Sequence, residues 1–213
     1  MSSDSSGARE FAGFPTLFRE GESRHQPLVF LHGSNQDEFS LLDFAREAAP
    51  AHPTYCPRGR EPSDASFTFF RRRTDRSIDE VNLTDRAAEL SQLLLIIGQR
   101  HGEPALLIGF SSGAIMAAAL TARHTALLSG AVLLRPEKPF TQNCFPDLAG
   151  TPFLLVSGEN DERRERLDAV GVVDQLRAAG AAVEWHELAC SHGFDPEGGD
   201  RMLTRAWLAK RGL

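Results

Sequence analysis

Ala105-Leu-Leu-Ile-Gly-Phe-Ser-Ser-Gly-Ala-Ile-Met-Ala-Ala-Ala-Leu120 is an apolar run interrupted once, at its centre, by a Gly/Ser cluster. Its first part, Ala105 to Phe110, has the length and continuous hydrophobicity of a strand buried on both faces. Its second part, Ser112 to Arg123, is built from small apolar residues and reads as a buried helix. Between them stands G-x-S-x-G, as Gly109-Phe110-Ser111-Ser112-Gly113. A bare match to this pattern carries little weight, and the strand–turn–helix setting is what makes it informative. A turn this sharp forces the central residue into a strained backbone conformation, and glycines on either side keep Cβ atoms out of the crowded space. Ser111, centred between the glycines, is the candidate nucleophile, and the following helix aims its N–H groups at the reacting carbonyl.

Outward from this segment, short apolar runs alternate with amphipathic stretches, the pattern of a parallel sheet covered by helices. Strands are expected at Leu28–Leu31, Pro53–Cys56, Gly130–Leu134, Pro152–Ser157 and Val183–Leu188. Helices are expected over Asp37–Ala49, Leu83–Arg100, Arg163–Ala179 and Arg201–Lys210. The second of these is the clearest, because Leu83, Ala87, Leu90, Leu94 and Ile97 recur at three- and four-residue spacing and Gly102 stops it. The fold class is α/β: a doubly wound, mostly parallel sheet forming one domain over residues 11–213, preceded by a polar, Ser-rich leader at 1–10. In such sheets the active site lies at the carboxyl ends of the strands.

A serine oxygen is inert without a base, and the base needs an orienting acid. The strand ending at Ser157 runs into Gly158-Glu-Asn-Asp161, where Asp161 is preferred over Glu159 as the acid. Beyond the last strand, Cys190-Ser-His-Gly-Phe194 places His192 on a loop from which an imidazole can reach Ser111. His186, inside that strand, is the less favoured alternative. His32-Gly33 closes the first buried strand and marks a loop able to supply an amide to a developing oxyanion. Ser34 is the expected donor there, with the Ser112 amide as its partner. His32 itself is read as shaping the loop. Phe110, Phe69 and Phe70 are candidates for a substrate-binding wall, although aromatic residues at strand ends more often serve the core.

These residues, with Leu31-His-Gly-Ser-Asn-Gln-Asp-Glu38 and Phe69-Phe-Arg-Arg72, give the chain a resemblance to the carboxylesterase/phospholipase-like branch of the α/β-hydrolase superfamily, which includes small bacterial esterases. The resemblance runs from about Phe14 onward. It implies an α/β-hydrolase fold and a serine esterase mechanism with a Ser111–Asp161–His192 triad, an acyl-enzyme and no cofactor. Thioester or lysophospholipid hydrolysis with the same triad is the nearest alternative, and a catalytically silent ligand-binding member the more distant one. The chain departs from the family pattern at Asn35 and Gln36, where glycines are usual, and at Glu162-Arg-Arg164, where a proline and apolar residues are usual.

Composition sets outer bounds. The 213 residues carry 41% hydrophobic and 24% charged side chains, enough for one core without staples. A net charge of −6 argues against a nucleic-acid partner. Arg71, Arg72 and Arg73 are followed closely by Asp75, Asp79 and Glu80 and read as a solvated face. Three cysteines without paired spacing point to a reducing compartment, and with no apolar signal run the expected location is cytoplasmic. No stretch approaches the ~20 apolar residues of a membrane span. Metal-ligand spacings are missing, so no metal is expected; the partner is a small ester, with a homodimer left open. Finally, the connection from Arg135 to Thr151 contains Pro136, Pro139, Pro146 and Gly150. It is too short and too broken to fold a lid over the cleft.

Overall fold

A computed structural model describes residues 8–142 and 145–212. Of the expected leader, residues 1–7 lie outside the described residues. Arg9 and Glu10, expected within that leader, are in a strand. They start strand β1 (Arg9–Phe11), which pairs antiparallel with β2 (Phe14–Arg19). The sequence expectation missed both strands because they are short and half-polar and Pro15 lies within one of them. Phe14 and Leu17 nonetheless reach the core from β2.

The other sheet strands are β3 (Leu28–Leu31), β4 (Thr54–Pro57), β7 (Ala105–Phe110), β8 (Leu128–Leu134), β9 (Pro152–Gly158) and β10 (Ala182–Leu188). They complete an eight-stranded sheet in the order β1-β2-β4-β3-β7-β8-β9-β10. From β4 to β10 every pairing is parallel. Side-chain alternation divides the core in two. Val29, Leu31, Leu107, Leu133 and Leu155 face one layer, with α2 (Glu80–His101), α3 (Ser112–His124) and α4 (Arg166–Ala178) packed on it. Phe30, Ile108, Val132, Leu154 and Val156 face the other, under α1 (Leu42–Ala48) and α5 (Gly199–Lys210). The strands are nearly continuously apolar because both faces are covered. This is the α/β-hydrolase fold.

Two helices are shorter than expected, for local reasons. Asp37 Oδ1 accepts the Phe39 N–H at 3.0 Å and the Ser40 hydroxyl at 2.9 Å. This side-chain turn replaces the first helical turn, so α1 starts only at Leu42. At α4 the Arg163 and Arg164 amides turn into the Asp161 carboxylate. The helix then begins at Arg166, with the Glu165 N–H donating to Asp168 Oδ2 at 2.9 Å. A small hairpin, β5 (Glu61–Ser63) and β6 (Ser66–Thr68), stands beside the loop after β3.

Strand order reverses between β3 and β7, since β4 lies on one side of β3 and β7 on the other. Such a reversal opens a crevice at the carboxyl ends. The loops leaving β3, β7, β8, β9 and β10 all emerge along that edge. The connection after β8 contributes Glu137 to the crevice and then packs onto the body of the protein: Phe140 and Leu148 are buried in the core, and Glu80 accepts hydrogen bonds from the Thr141 amide and hydroxyl. Among the described residues no lid domain covers the crevice.

Candidate active site

Ser111 follows β7 directly, with φ +53° and ψ −113°. A non-glycine residue at positive φ costs on the order of 1–3 kcal/mol and persists only where its surroundings fix it. They do so here. The Ser111 N–H donates to Leu134 O at 2.8 Å, extending the β7–β8 ladder by one residue, and Ser111 O accepts from the Ala114 and Ile115 amides. The turn demands glycine at two positions. A Cβ at Gly113 would collide with the Leu31 carbonyl of β3, and one at Gly109 with the backbone of Gly113.

Ser111 Oγ lies 2.8 Å from His192 Nε2, and His192 Nδ1 lies 2.9 Å from both oxygens of Asp161. A carboxylate can only accept, so Nδ1 carries the proton and Nε2 presents its lone pair to the Ser111 hydroxyl. Asp161 Oδ1 also accepts the Arg163 N–H at 2.8 Å and the Arg164 N–H at 3.0 Å, which fixes the carboxylate. Burial pulls the His192 pKa below the ordinary histidine value. The hydrogen bond and charge of Asp161 pull the other way, and Arg164 and Arg163 add to the depression. The alternatives lie elsewhere: His186 pairs with Glu184 within β10 at 2.9 Å, and Glu159 is exposed.

Ser34 lines the same cavity as Ser111 and His192, and Ser112 is the first residue of α3. The first N–H groups of a helix have no intrahelical acceptor. Among the described residues neither the Ser34 nor the Ser112 amide meets a protein acceptor. The loop bearing Ser34 is held by groups that the sequence reading did not use. Gln36 Oε1 accepts the Gly33 N–H, at 2.6 Å. Asn35, at φ +60°, bonds Ser63 and Asp64 of the hairpin, and asparagine tolerates that conformation better than most residues.

His32 is structural. Its Nδ1 contacts Gly33 O at 2.7 Å, its Nε2 contacts the Gly59 N–H at 2.9 Å, and its ring stacks on Phe69 at 4.6 Å. Only the neutral imidazole with the proton on Nδ1 satisfies both bonds, and burial lowers the pKa to about 4. The unfolded chain takes up this proton near 6.5. The contribution of His32 to stability is therefore complete above ~6.5 and is lost as pH falls toward the folded value, reaching about 3 kcal/mol. Urea unfolding of the wild type and His32→Gln between those pH values is expected to show a steeper acid loss in the wild type. Equal slopes would contradict the assignment.

Phe69 and Phe70 are not in a substrate wall. Both are 2% exposed within the larger core cluster, because the segment after β6 turns inward under α2. Phe110 does line the cavity and packs against Phe194 at 4.4 Å and His192 at 5.7 Å, bracing the histidine loop.

A second support was invisible in the sequence. Arg135, just past β8, is 1% exposed and at φ +57°. Its guanidinium makes a two-pronged pair with Asp200 of α5, at 2.8 and 3.0 Å. It also donates to Gly193 O at 2.9 Å and reaches Cys190 Sγ at 3.0 Å. These are residues on either side of His192. Burial disfavours the charged guanidinium, but the Asp200 hydrogen bond and charge outweigh it and hold Arg135 above the ordinary arginine value. Cys56 and Cys190 are free thiols, and Cys144 lies outside the described residues. Burial pushes the Cys56 thiol up to about 12. Among the described residues no group of His, Cys, Asp and Glu converges as a metal centre. No described helix is long and apolar enough to cross a membrane.

Comparison with known proteins agrees with the fold. Residues 28–211 match the alpha/beta hydrolase family. MhqD of Bacillus subtilis (strain 168), which is named as a hydrolase, is 28% identical over 176 residues, 80% of this chain and 88% of its own. The crystal structure of the Bacillus cereus carboxylesterase superposes with a TM-score of 0.86 at 26% identity, covering 92% of this chain and 94% of that one. The carboxylesterase from Mesorhizobium loti superposes with a TM-score of 0.83, at the same identity and coverage.

Proposed function

Because this chain belongs to the alpha/beta hydrolase family, we propose that it hydrolyses carboxylic esters through Ser111, His192 and Asp161. The observation that carries this reading is the unbroken relay from Ser111 Oγ through His192 to the Asp161 carboxylate, with contacts of 2.8 and 2.9 Å. His192 takes the Ser111 proton as the oxygen attacks the ester carbonyl. The Ser34 and Ser112 amides receive the negative charge that develops on the carbonyl oxygen, a contribution of roughly 3–4 kcal/mol per donor. His192 then protonates the departing alcohol, and a water activated by the same imidazole releases the acid from Ser111. Thioester hydrolysis could use the same atoms. The cavity lining, where Phe110 is the one large apolar residue among the described residues, disfavours the long acyl chain of a lysophospholipid.

The test is an assay with p-nitrophenyl esters of graded chain length across pH. With no lid over the crevice among the described residues, short-chain esters are expected to show ordinary saturation, with no jump in rate at the solubility limit. Since the neutral imidazole is the active form and burial lowers its pKa, kcat/KM should rise with pH to a plateau with a midpoint below ~6.5. A midpoint clearly above that value, or interfacial activation, would contradict this account of the site.

A further inference from the structure

The cavity beside Ser111 has a volume of about 650 Å³, and four arginines reach its walls. Arg72 and Arg76 enter from the segment before α2, and Arg163 and Arg164 from the loop after β9. Three carboxylates, Glu137, Glu162 and Asp168, share the lining. Four guanidinium groups thus face three carboxylates in the lining, and the Asp161 carboxylate stands behind His192.

The carboxylates are already engaged. Glu137 pairs with Arg72 at 2.6 Å and with Arg164 at 3.4 Å. Glu162 accepts the His192 N–H at 3.2 Å and faces Arg163 Nε at 3.7 Å. Asp168 accepts the Glu165 amide. The arginines are less well satisfied. The Arg76 side chain has no carboxylate partner among the described residues, and Arg163 has only the long contact to Glu162. The Arg164 side chain is 14% exposed and its Nε is buried without a hydrogen-bond partner. Arg76 and Arg163, both exposed, therefore keep guanidinium donors available to an anion in the cavity, with Arg164 beside them.

We propose that the substrate is an ester carrying a free carboxylate, received by Arg76, Arg163 and Arg164 in the cavity that holds Ser111 Oγ. The proposal rests on the esterase reading and names its substrate class. A carboxylate offers two coplanar oxygens that match the fork of a guanidinium. Neutral esters of the same length lack the group that meets the arginine forks, so the discrimination appears in kcat/KM.

The experiment compares two matched pairs of esters. On the acyl side, p-nitrophenyl hemiglutarate is set against its methyl ester. On the alcohol side, 4-butyryloxybenzoate is set against its methyl ester. In at least one pair the anionic member is expected to be favoured roughly tenfold or more, the scale of a charge-assisted hydrogen bond. Raising salt from ~0.05 to ~0.5 M should erode that ratio. Arg76→Gln with Arg163→Gln, both exposed positions, should lower it about tenfold with the thermal midpoint unchanged. A ratio near one in both pairs, or one indifferent to the arginine variants, overturns the proposal. Calorimetric binding of monoethyl glutarate to Ser111→Ala protein separates the two ideas. If the wild type cleaves none of the four esters but the anion binds and the arginine variants weaken it, the esterase reading fails and the carboxylate site stands. If neutral esters are cleaved and the anion does not bind, the carboxylate site fails alone.

Discussion

Replacing Ser111 by alanine is expected to lower kcat for ester hydrolysis by a factor on the order of 10⁶, the loss seen when a serine hydrolase is deprived of its nucleophile. The fold should survive. Alanine retains a Cβ, so the strain at φ +53° is the same before and after, and the Ser111 N–H still donates to Leu134 O. Only the hydroxyl and its bond to His192 are removed. Ser112→Ala should be far milder, since the proposed role of Ser112 is that of its backbone amide, and its hydroxyl makes only a long 3.4 Å contact with Thr68. Steady-state kinetics on the two variants, with thermal unfolding as the check on folding, decide between them. An inactive Ser112→Ala beside an active Ser111→Ala would reverse the assignment.

Removing the guanidinium of Arg135 should have the largest effect on stability. Arg135 and Asp200 are 1% and 0% exposed and bound at two points. Breaking such a pair leaves an uncompensated buried charge and costs roughly 3–5 kcal/mol. For a chain of this size that corresponds to a fall on the order of 10 °C in thermal midpoint. Arg135→Met should also lower kcat/KM, because Gly193 O loses the donor that tethers the loop carrying His192. Adding Asp200→Leu removes the stranded carboxylate and should restore much of the stability while the loop stays untethered. Scanning calorimetry and kinetics on the single and double variants separate the two effects. A single variant with an unchanged midpoint would show that the pair does not brace the site.

The sequence exposed those parts of the molecule where local pattern and global fold agree. The β7–turn–α3 segment was legible because buried strand, glycine spacing and small-residue helix all demand the same geometry at Ser111. The candidate acid and base could be picked out because each follows a strand and lies on the carboxyl edge that the fold uses. Long-range support was not. Arg135 and Asp200 are 65 residues apart, and neither is marked by anything in its neighbourhood. The only available hint was a charge placed directly after the apolar run of β8. Gln36 and Asn35 stood where glycines were anticipated, and only the structure shows their side chains doing the fastening. Phe69 and Phe70 were ambiguous because an aromatic pair before a helix packs equally well into core or pocket, and here the core claims both. Arg72 belongs to a basic cluster that read as a solvated face, yet it reaches across the cavity to Glu137.

The central claim is that Ser111 is the nucleophile, and covalent trapping tests it most directly. A fluorophosphonate reacts only with a serine activated by an adjacent base. Intact mass should show one adduct per chain. Fragmentation of the peptide that contains both Ser111 and Ser112 should place it on Ser111, with labelling retained in Ser112→Ala and lost in Ser111→Ala and His192→Ala. An adduct on Ser112, or no adduct on a chain that cleaves esters, would contradict the account.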